Sequence, residues 1–558
     1  MFQFCLVSLV LIILVLLYKK GMPAVFIPKS ILIPLFILTG WIGITFFTHT
    51  NLMNYIINVL HGIIYMLFFI LILNARDRKL NLSFLLAITF IQSIFIILRF
   101  NFPNSGLIGT LSNYMFFSPN FNLVSGFIAA VTITNTGYFI HEEKTAVFSN
   151  VNIRTSYIII FIINTIAIFI AQSRAVVFIY AVILLYYFRK RFSFKVFIPA
   201  ACFLLLIVFL NFNILTKSYD PLSFSRPQLW FSALRMCIDN PVFGIGLGNY
   251  GDFFPKYNFP IETTIARYGK YTDFAHNELL QIGAELGVIG VVLIIWLLFQ
   301  IIREIKHNRY ISLGIAVILF QSLFDFNLHL PVNVFLLIIL ISAAIKPENL
   351  YEFQMNPAVS RLITLCLWLA GIFSMVFIVS AYFQMNNNIR LASKINPINP
   401  DYYYRLSLNE KDIVSRIKLL ERSIYLNPDN YTYHSELGLI YWQAAKNNRI
   451  YIKDAISELK KAEQYNPYNA VIKFYLGKLY FDIKEYRNAK EYFVKSVELE
   501  PLFVTAYKYL VYCSRNSGEI KEAGVWQQRL VDANSAIKNK LQENKCNITG
   551  YERMLIEF

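Results

Sequence analysis

The chain contains 558 residues, of which 56% are hydrophobic and 15% are charged, and its formal net charge is +17. This composition is typical of an integral membrane protein and excludes an ordinary soluble enzyme. The positive charge does not indicate a nucleic-acid partner, because lysine and arginine concentrate in alternate short connections between apolar runs.

Apolar runs recur along the first 385 residues, and at about 17 to 22 residues each is long enough to cross a hydrocarbon core about 30 Å thick. They predict an all-α membrane region of about twelve spans. The first run is kept as a helix because no basic region precedes it and no small-residue cleavage site follows it. The predicted spans are residues 2–18, 30–48, 55–74, 82–99, 122–140, 156–172, 174–189, 195–211, 284–302, 310–325, 331–345 and 361–385.

Basic side chains mark one side of the predicted membrane region. The short loops between the basic connections, such as residues 48–54 and 327–331, carry almost none. This positive-inside pattern places the N-terminus, a large loop at residues 211–275 and everything after residue 385 outside the cytoplasm. The basic connections contain Lys19, Lys20 and Lys29; Arg76, Arg78 and Lys79; Arg189, Lys190, Arg191 and Lys195; and Arg303, Lys306 and Arg309.

The centres of the predicted spans hold almost no ionisable residue, and His61 is an isolated exception. Transporters and proton pumps usually need buried charges at mid-membrane. Polar residues collect instead at the outer ends of the spans and in the large loop. The pattern therefore favours chemistry at the outer membrane surface and disfavours a flippase for lipid-linked sugars.

Four polar stretches lie on the predicted outer side. In chain order they are "QSRA" at residues 172–175, "SFSRPQLWFSALRMCIDNPVFGIGLGNYG" at 223–251, "FAHNELLQIGAELGVIG" at 274–290 and "SLFDFNLHLP" at 322–331. Their motifs are a Ser-Arg-Ala turn, Arg-Pro-x-Leu-Trp followed by Asp-Asn-Pro and a glycine-rich run, an Ala-His-Asn-Glu helix start, and an aspartate turn that ends in proline. Together they resemble the O-antigen ligase and polymerase superfamily, a group of bacterial multi-pass glycosyltransferases, over about residues 100–345.

The resemblance implies an α-helical, GT-C-like membrane enzyme. Such proteins take a glycan from a polyprenyl-diphosphate carrier at the outer face of the plasma membrane. They pass the glycan to a hydroxyl of lipid A core, of another glycan repeat or of a protein. The family is described as working without a bound metal, so neither a metal nor another cofactor is expected.

Three arginines are candidates for binding the diphosphate. A leaving diphosphate develops negative charge, and the always-charged, planar guanidinium suits phosphate oxygens. Arg174 is predicted at the membrane boundary where a lipid-linked diphosphate would lie. Arg226 and Arg235 lie nine residues apart on a predicted loop helix, so they point in roughly opposite directions at about 100° per residue. Arg226 is preferred. The alternatives are a membrane-anchoring role for Arg174 and solvated loop charges for the other two.

His276 is the candidate general base. An acceptor hydroxyl must lose its proton as it attacks the anomeric carbon, and a histidine that titrates near neutral pH suits that role. Glu278 is the nearest acidic residue, and it is expected to orient the imidazole or to cap the helix start. A helix-capping role for His276 is the alternative. Asp325 and His329, in the fourth stretch, form a secondary candidate pair.

Two motifs are rejected. "GIGLGNYG" resembles a dinucleotide fingerprint, but no strand precedes it, so it predicts a tight loop with close backbone approach. "HNELLQIGAE" lacks the second histidine of a zinc-protease helix, so no zinc is expected.

The residues after 385 follow a different pattern. Prolines recur at positions 428, 467 and 501, and the second interval is 34 residues, the tetratricopeptide period. Leu476, Gly477, Ala489 and Phe493 fall in register with that repeat. Leu437, Gly438, Ala455 and Leu459 do so in the preceding unit if five residues are inserted around residues 447–451. An α-solenoid of this kind is expected to bind a protein partner, and an ordinary helical bundle is the alternative.

Residues 1–386 are therefore predicted to form a glycan-transferring domain, and residues 400–545 a tetratricopeptide domain that recruits rather than catalyses. The favoured activity is O-antigen ligase-like transfer in a bacterial inner membrane. A polysaccharide polymerase or a protein O-oligosaccharyltransferase of the same superfamily remains open. A rival of another class is a non-catalytic scaffold that recruits envelope proteins.

Overall fold

A computed structural model describes residues 24–48, 51–74, 82–102, 120–141, 151–188, 225–261, 265–354, 357–446, 448–543 and 550–557. Nearly all of its regular structure is helical. The membrane region contains α1 (Lys29–Thr45), α2 (Leu52–Leu73), α3 (Leu82–Asn101), α4 (Phe121–His141), α5 (Val151–Ile170), α6 (Arg174–Phe188), α7 (Arg226–Asp239), α8 (Glu278–Ile305), α9 (Arg309–Ser322), α10 (Pro331–Ala344) and α11 (Pro357–Met385). The C-terminal region contains α12 (Ile389–Ile395), α13 (Pro400–Asn409), α14 (Ile413–Leu426), α15 (Tyr431–Ala445), α16 (Tyr451–Tyr465), α17 (Ala470–Asp482), α18 (Tyr486–Leu499), α19 (Val504–Asn516), α20 (Ile520–Glu543) and α21 (Gly550–Glu557).

The predicted spans mostly coincide with helices. The spans at 2–18 and 195–211 lie outside the described residues, and each of the others overlaps one helix. Within the described ranges, six helices are long and apolar enough to cross a membrane, namely Lys29–Thr48, Leu52–Leu73, Phe84–Asn101, Phe121–Ile140, Glu278–Ile305 and Trp368–Met385. Four shorter apolar helices accompany them, namely Arg154–Ile170, Arg174–Phe188, Arg309–Ser322 and Pro331–Ala344. The total of about twelve spans stays a prediction.

Helix α4 lies at the centre of the membrane bundle. It packs against α3, α5, α6 and α9. In its most apolar stretch, within Phe121–Ile140, 89% of the residues are buried inside the protein. Small residues permit this packing. A side chain at Gly314 on α9 would lie 2.2 Å from the hydroxyl of Thr134, so the two helices approach closely.

The polar side chains of α4 bond to their own helix. Thr132, Thr134 and Thr136 each donate a hydrogen bond to the carbonyl four residues earlier, at 2.7 to 2.9 Å, and the Asn135 amide does the same at 2.8 Å. These groups therefore have partners without help from neighbouring helices.

A small sheet departs from the expected all-α fold. Strand β1 (Ala24–Pro28) pairs antiparallel with β2 (Leu350–Gln354). The sheet lies beside the basic end of the bundle, where the Lys29 ammonium is 3.9 Å from the centre of the Tyr351 ring. The fold is therefore nearly all-α, and the two strands are the exception. Each has only five residues, too few for a clear periodicity, and its partner lies more than 300 positions away in the sequence.

The C-terminal helices α13 to α20 pack in consecutive order. Glycines of the predicted repeat register lie where the helices touch. A side chain at Gly438 would lie 2.8 Å from Leu459, and one at Gly477 would lie 2.7 Å from Phe493. The tetratricopeptide assignment itself stays a prediction.

Candidate active site

The site is assembled on residues 225–261 and 265–277, the described residues that precede α8. Helix α7 buries Leu229, Ala233 and Met236 in a cluster that also contains Tyr250 and Ala275. The buried positions recur every three or four residues, as expected for a helix with one apolar face. This packing fixes both Arg226, at the start of α7, and the residues that lead into α8.

A break in α8 attaches the glycine-rich run. Gly287 has φ +71° and ψ −175°, a conformation available almost only to glycine, and it interrupts the helical hydrogen-bond ladder. The carbonyls of Ala284 and Glu285 are thereby free to accept hydrogen bonds from the N–H groups of Ile245, at 2.8 Å, and Gly246, at 3.0 Å. A side chain at Gly244 would lie 2.3 Å from the Glu285 backbone. The prediction of a tight loop with close backbone approach is confirmed.

His276 occupies a strained turn immediately before α8. Its φ is +54°, which is uncommon for a residue other than glycine. The turn is held because the His276 carbonyl accepts a hydrogen bond from the Trp230 indole at 3.2 Å. The Asn277 side chain caps α8 by accepting from the N–H of Leu280 at 3.1 Å. Asn277 is therefore the helix cap, and the His276 ring points elsewhere.

The His276 ring contacts the buried carboxylate of Asp325. Nδ1 of His276 lies 3.1 Å from Oδ1, and the Arg226 guanidinium donates to Oδ2 at 3.3 Å. The Asp325 side chain is 5% exposed, whereas those of His276 and Arg226 are 26% and 29% exposed. Burial alone would raise the pKa of the Asp325 carboxyl, but the hydrogen bond from His276 and the charge of Arg226 outweigh it and hold that pKa below its ordinary value.

The low pKa of Asp325 determines the tautomer of His276. An ionised Asp325 can only accept, so Nδ1 of His276 carries the hydrogen. The other ring nitrogen, Nε2, has no hydrogen-bond partner among the described residues and can take up a proton. The imidazole edge also packs against Phe326, with ring centres 4.8 Å apart.

Glu278 contacts a different histidine from the one expected. Its Oε1 lies 3.2 Å from Nδ1 of His329 and accepts the N–H of Leu328 at 3.0 Å. The expected pairs are therefore exchanged: Asp325 contacts His276, and Glu278 contacts His329. The turn at His276 separates the two side chains, so their closeness in sequence does not bring them together. Burial alone would lower the pKa of His329, but the charges of Glu278 and Glu285 raise it above its ordinary value.

The two arginines of α7 lie on different sides. Arg226 is part of the site, whereas Arg235 is exposed on the opposite face and contacts none of the other candidates among the described residues. Arg174, at the start of α6, is half-buried and within electrostatic range of Arg226. The structure thus joins Arg226 and His276 through Asp325 and places the Glu278–His329 pair beside them. Arg174 is linked to this group by its electrostatic interaction with Arg226.

Sequence reasoning missed the residues that support this group. Gln281 links the two parts of the site: its carbonyl oxygen accepts the N–H of Ala275 at 3.0 Å, and its amide donates to Glu285 at 3.0 Å and approaches His329. The spacing of Glu278, Gln281 and Glu285 on one face of α8 is the signal that would have revealed it. Within the described residues, no group of three His, Cys, Asp or Glu side chains could hold a metal ion.

Comparisons with known proteins identify part of the chain. Residues 159–295 match the sequence model of the family described as O-antigen ligase, Wzy_C. This match contains Arg174, Arg226 and His276 and ends before Asp325. No curated protein matches the chain.

Solved structures of MamA align with part of the chain. "Crystal structure of MamA" is 18% identical, covers 29% of this chain and 97% of its own, and has a TM-score of 0.26. "MamA 41-end from Desulfovibrio magneticus RS-1" is 14% identical, covers 30% and 96%, and has a TM-score of 0.25. Scores this low establish neither a shared fold nor a shared role. The family match stands on its own: residues 159–295 of this chain are similar to the O-antigen ligase family, as the motifs predicted.

Proposed function

We propose that the protein transfers a glycan from a polyprenyl-diphosphate carrier, undecaprenyl diphosphate in bacteria, to an acceptor hydroxyl at the outer face of the plasma membrane. The observation that carries the proposal is the contact of His276 with Asp325 beside Arg226. His276 and Arg226 lie in the segment that matches the O-antigen ligase family. A ligase-like acceptor is favoured, and polymerisation of glycan repeats or transfer to protein uses the same chemistry.

In this reaction the acceptor oxygen attacks the anomeric carbon of the carrier-bound sugar. Nε2 of His276 takes the hydroxyl proton, and Asp325 stabilises the resulting imidazolium. The bond between the anomeric carbon and the phosphate oxygen breaks, and its electron pair leaves with the carrier diphosphate. Arg174 and Arg226 stabilise that negative charge without a metal.

Arg226 can serve both Asp325 and a diphosphate. One of its terminal nitrogens contacts Asp325 at 3.3 Å, and the guanidinium has further N–H donors. The side chain is also partly exposed, so a ligand can reach it. Arg235, exposed on the other face of α7, has no part in this mechanism.

The outer-face orientation is also part of the proposal. The site, the start of α2 and the C-terminal helices meet at one end of the bundle, because Asp252 in the loop contacts both Asn51 and Asn427. Lys29 and Glu304 lie by the small sheet, at the basic end. With about twelve spans, the basic end faces the cytoplasm and residues 400–558 lie outside it.

The test of the function is substitution of the candidate base. His276→Ala should lower transfer about 10² to 10⁴-fold in purified protein in lipid, because general-base assistance is lost. Binding of the lipid-linked donor should hardly change, since both arginines remain. His307→Ala is the matched control, because His307 is exposed at the opposite end of α8. Full activity of His276→Ala would contradict the assigned base.

The C-terminal helices are proposed to be tetratricopeptide repeats that bind a protein partner. A cavity of about 630 Å³ supports this role. Its apolar lining consists of Trp442, Ala445, Ile452, Leu479 and Ile483, and Asp482 is the one acidic residue that lines it. It also carries four cations that form no ion pair among the described residues, namely Lys446, Arg449, Lys453 and Lys484. Four cations against one carboxylate give the cavity a positive potential, so an acidic peptide with an apolar anchor fits better than a neutral glycan.

Charge reversal at the cavity tests the partner role. A fluorescent peptide with glutamates on both sides of a leucine should bind the full-length protein, more weakly at high salt. Arg449→Glu with Lys453→Glu should abolish binding, and Lys521→Glu with Lys538→Glu should not. Equal binding of a peptide with glutamines in place of the glutamates would contradict the role of charge.

A further inference from the structure

A buried carboxylate joins the C-terminal helices to the outer loop. Glu500, just after α18, accepts the backbone N–H of Arg267 at 2.7 Å and that of Tyr268 at 2.9 Å. The Arg267 guanidinium donates in return to the carbonyls of Glu498 and Leu499, at 3.3 and 3.4 Å. Carbonyls in the last turn of a helix lack partners within it and favour a nearby cation. The contact therefore satisfies both the loop and the helix end.

Apolar contacts surround this polar one. Ala266 is buried in the same cluster as Phe474 and Phe503 of the C-terminal region. The Tyr268 ring stacks on Tyr468, with centres 5.0 Å apart and planes 12° from parallel. Hydrogen bonds and apolar packing thus both hold residues 266–268. The Glu500 side chain is fully buried, so water does not reach its hydrogen bonds.

A second carboxylate, that of the partly buried Asp252, joins the same two regions, but here the loop supplies the acceptor. Asp252 belongs to the loop, and its oxygens accept amide N–H groups from Asn427 at 3.1 Å and Asn430 at 3.5 Å in the C-terminal region. Asn51, at the start of α2, donates to the same carboxylate at 2.9 Å. The loop is therefore held between the membrane helices and the C-terminal helices.

Hydrogen bonds continue from this contact to the candidate active site. The Asn258 amide donates to the Tyr268 carbonyl at 3.0 Å. The carbonyl of Tyr257 accepts the Ser232 hydroxyl at 2.7 Å, and Ser232 lies on α7, which begins at Arg226. A continuous set of short contacts thus connects Glu500 to the helix that carries a candidate diphosphate ligand.

We propose that Glu500 is a positioning residue: through Arg267 and Tyr268 it fixes the outer loop and so holds α7 and the turn at His276 in their active geometry. The C-terminal helices then shape the active site as well as recruiting a partner. The catalytic part of this inference rests on the proposed glycan transfer, whereas the structural part does not.

The test compares two glutamates of equal charge. Glu500→Gln leaves one acceptor oxygen for two N–H donors, so one buried group loses its partner. Glu498→Gln removes the same charge from an exposed side chain two residues away. In full-length protein in lipid, amide hydrogen exchange over residues 265–276 should accelerate at least tenfold in Glu500→Gln and stay unchanged in Glu498→Gln.

The kinetic readout separates positioning from general instability. Glu500→Gln should lower kcat for transfer about 10- to 100-fold, because misplacement of reacting groups has effects of that size. Donor Kd should rise by less than this, because Arg226 is displaced but still present. If Glu500→Gln does not fold, Arg267→Ala takes its place. It removes the hydrogen bonds from the partly exposed Arg267 guanidinium to the end of α18, and it should also lower kcat and accelerate exchange.

Each outcome decides one part of the inference. Unchanged exchange in both the Glu500 and Arg267 variants would overturn the loop contact. Faster exchange with normal kcat would overturn the positioning role. Absence of transfer by the unmodified protein would instead contradict the proposed function, and the exchange comparison would still decide the contact.

Discussion

At the scale of single residues, Asp325 determines how His276 is held. Asp325→Asn keeps the size of the side chain but removes the charge that fixes the tautomer and stabilises the imidazolium. We expect transfer to fall by about 10²-fold, within the range of general-base effects, with little change in donor affinity. Transfer kinetics at several pH values are the measurement. Glu278→Gln, which changes the contact with His329, should lower transfer by a smaller factor. A larger loss in Glu278→Gln than in Asp325→Asn would indicate that Glu278, rather than Asp325, orients His276.

The arginines provide a second comparison at this scale. Arg174→Lys and Arg226→Lys keep a positive charge but lose the planar fork, so each should weaken donor binding by roughly tenfold. Arg235→Lys, nine residues along the same helix, should bind donor normally. Titration with lipid-linked donor measures this directly. Equal losses at Arg226 and Arg235 would show that loop charge in general, rather than one site, attracts the diphosphate.

Local sequence rules predicted some contacts of the site and not others. The helical period separated Arg226 from Arg235, and α7 has that geometry. Proximity in sequence suggested Glu278 for His276, but the positive φ of His276 turns its ring toward Asp325, 49 residues away. No local pattern encodes such a contact, because it depends on how α8 and α9 meet in space.

At the scale of elements, the break at Gly287 is sensitive to substitution. Gly287→Ala would place a methyl group 2.1 Å from the Val242 carbonyl and would force a backbone conformation that costs about 1–3 kcal/mol. The glycine-rich run should detach from α8, and the thermal midpoint in detergent should fall. Gly371→Ala, in α11, has open space around it and should leave the midpoint unchanged. A stable, active Gly287→Ala protein would show that the loop attaches in another way.

Hydropathy located the helices of the described residues well, because a membrane span must satisfy its backbone internally and is therefore long and apolar. The same argument gave no account of β1 and β2, whose pairing joins residues more than 300 positions apart. The break in α8 was also invisible to it, since apolar residues continue on both sides of Gly287. Only the glycine-rich run signalled that two backbones approach closely nearby.

At the scale of the whole molecule, the orientation is open to test. Alkaline phosphatase fused after Asn430 should be active, and a reporter that works only in the cytoplasm should be silent at the same position. The physical reason is the basic content of alternate connections, combined with about twelve spans. Signal from the cytoplasmic reporter alone would reverse the orientation and would place the candidate site on the inner face.

The contact between loop and C-terminal helices should depend on pH. Burial raises the pKa of Glu500 to about 7, although the N–H groups of Tyr268 and Arg267 oppose the shift. A folded-state pKa above the ordinary value means that Glu500 contributes stability in full below about pH 4.5, and that this contribution is lost as the pH rises through about 7. The thermal midpoint should therefore fall between pH 5.5 and 8. Glu500→Gln should lose this component, and an unchanged pH profile in that variant would contradict the assignment.

Helix α4 has a consequence for biogenesis. A helix that ends up surrounded by protein must first leave the translocon into lipid, where unpaired hydroxyl and amide groups are unfavourable. Thr132, Thr134, Asn135 and Thr136 each donate to a carbonyl of α4 itself. Their polar groups therefore have hydrogen-bond partners before any neighbouring helix is present. Synthesis can therefore deliver α4 before its later partners α6 and α9 exist, and the bundle can close around it afterwards.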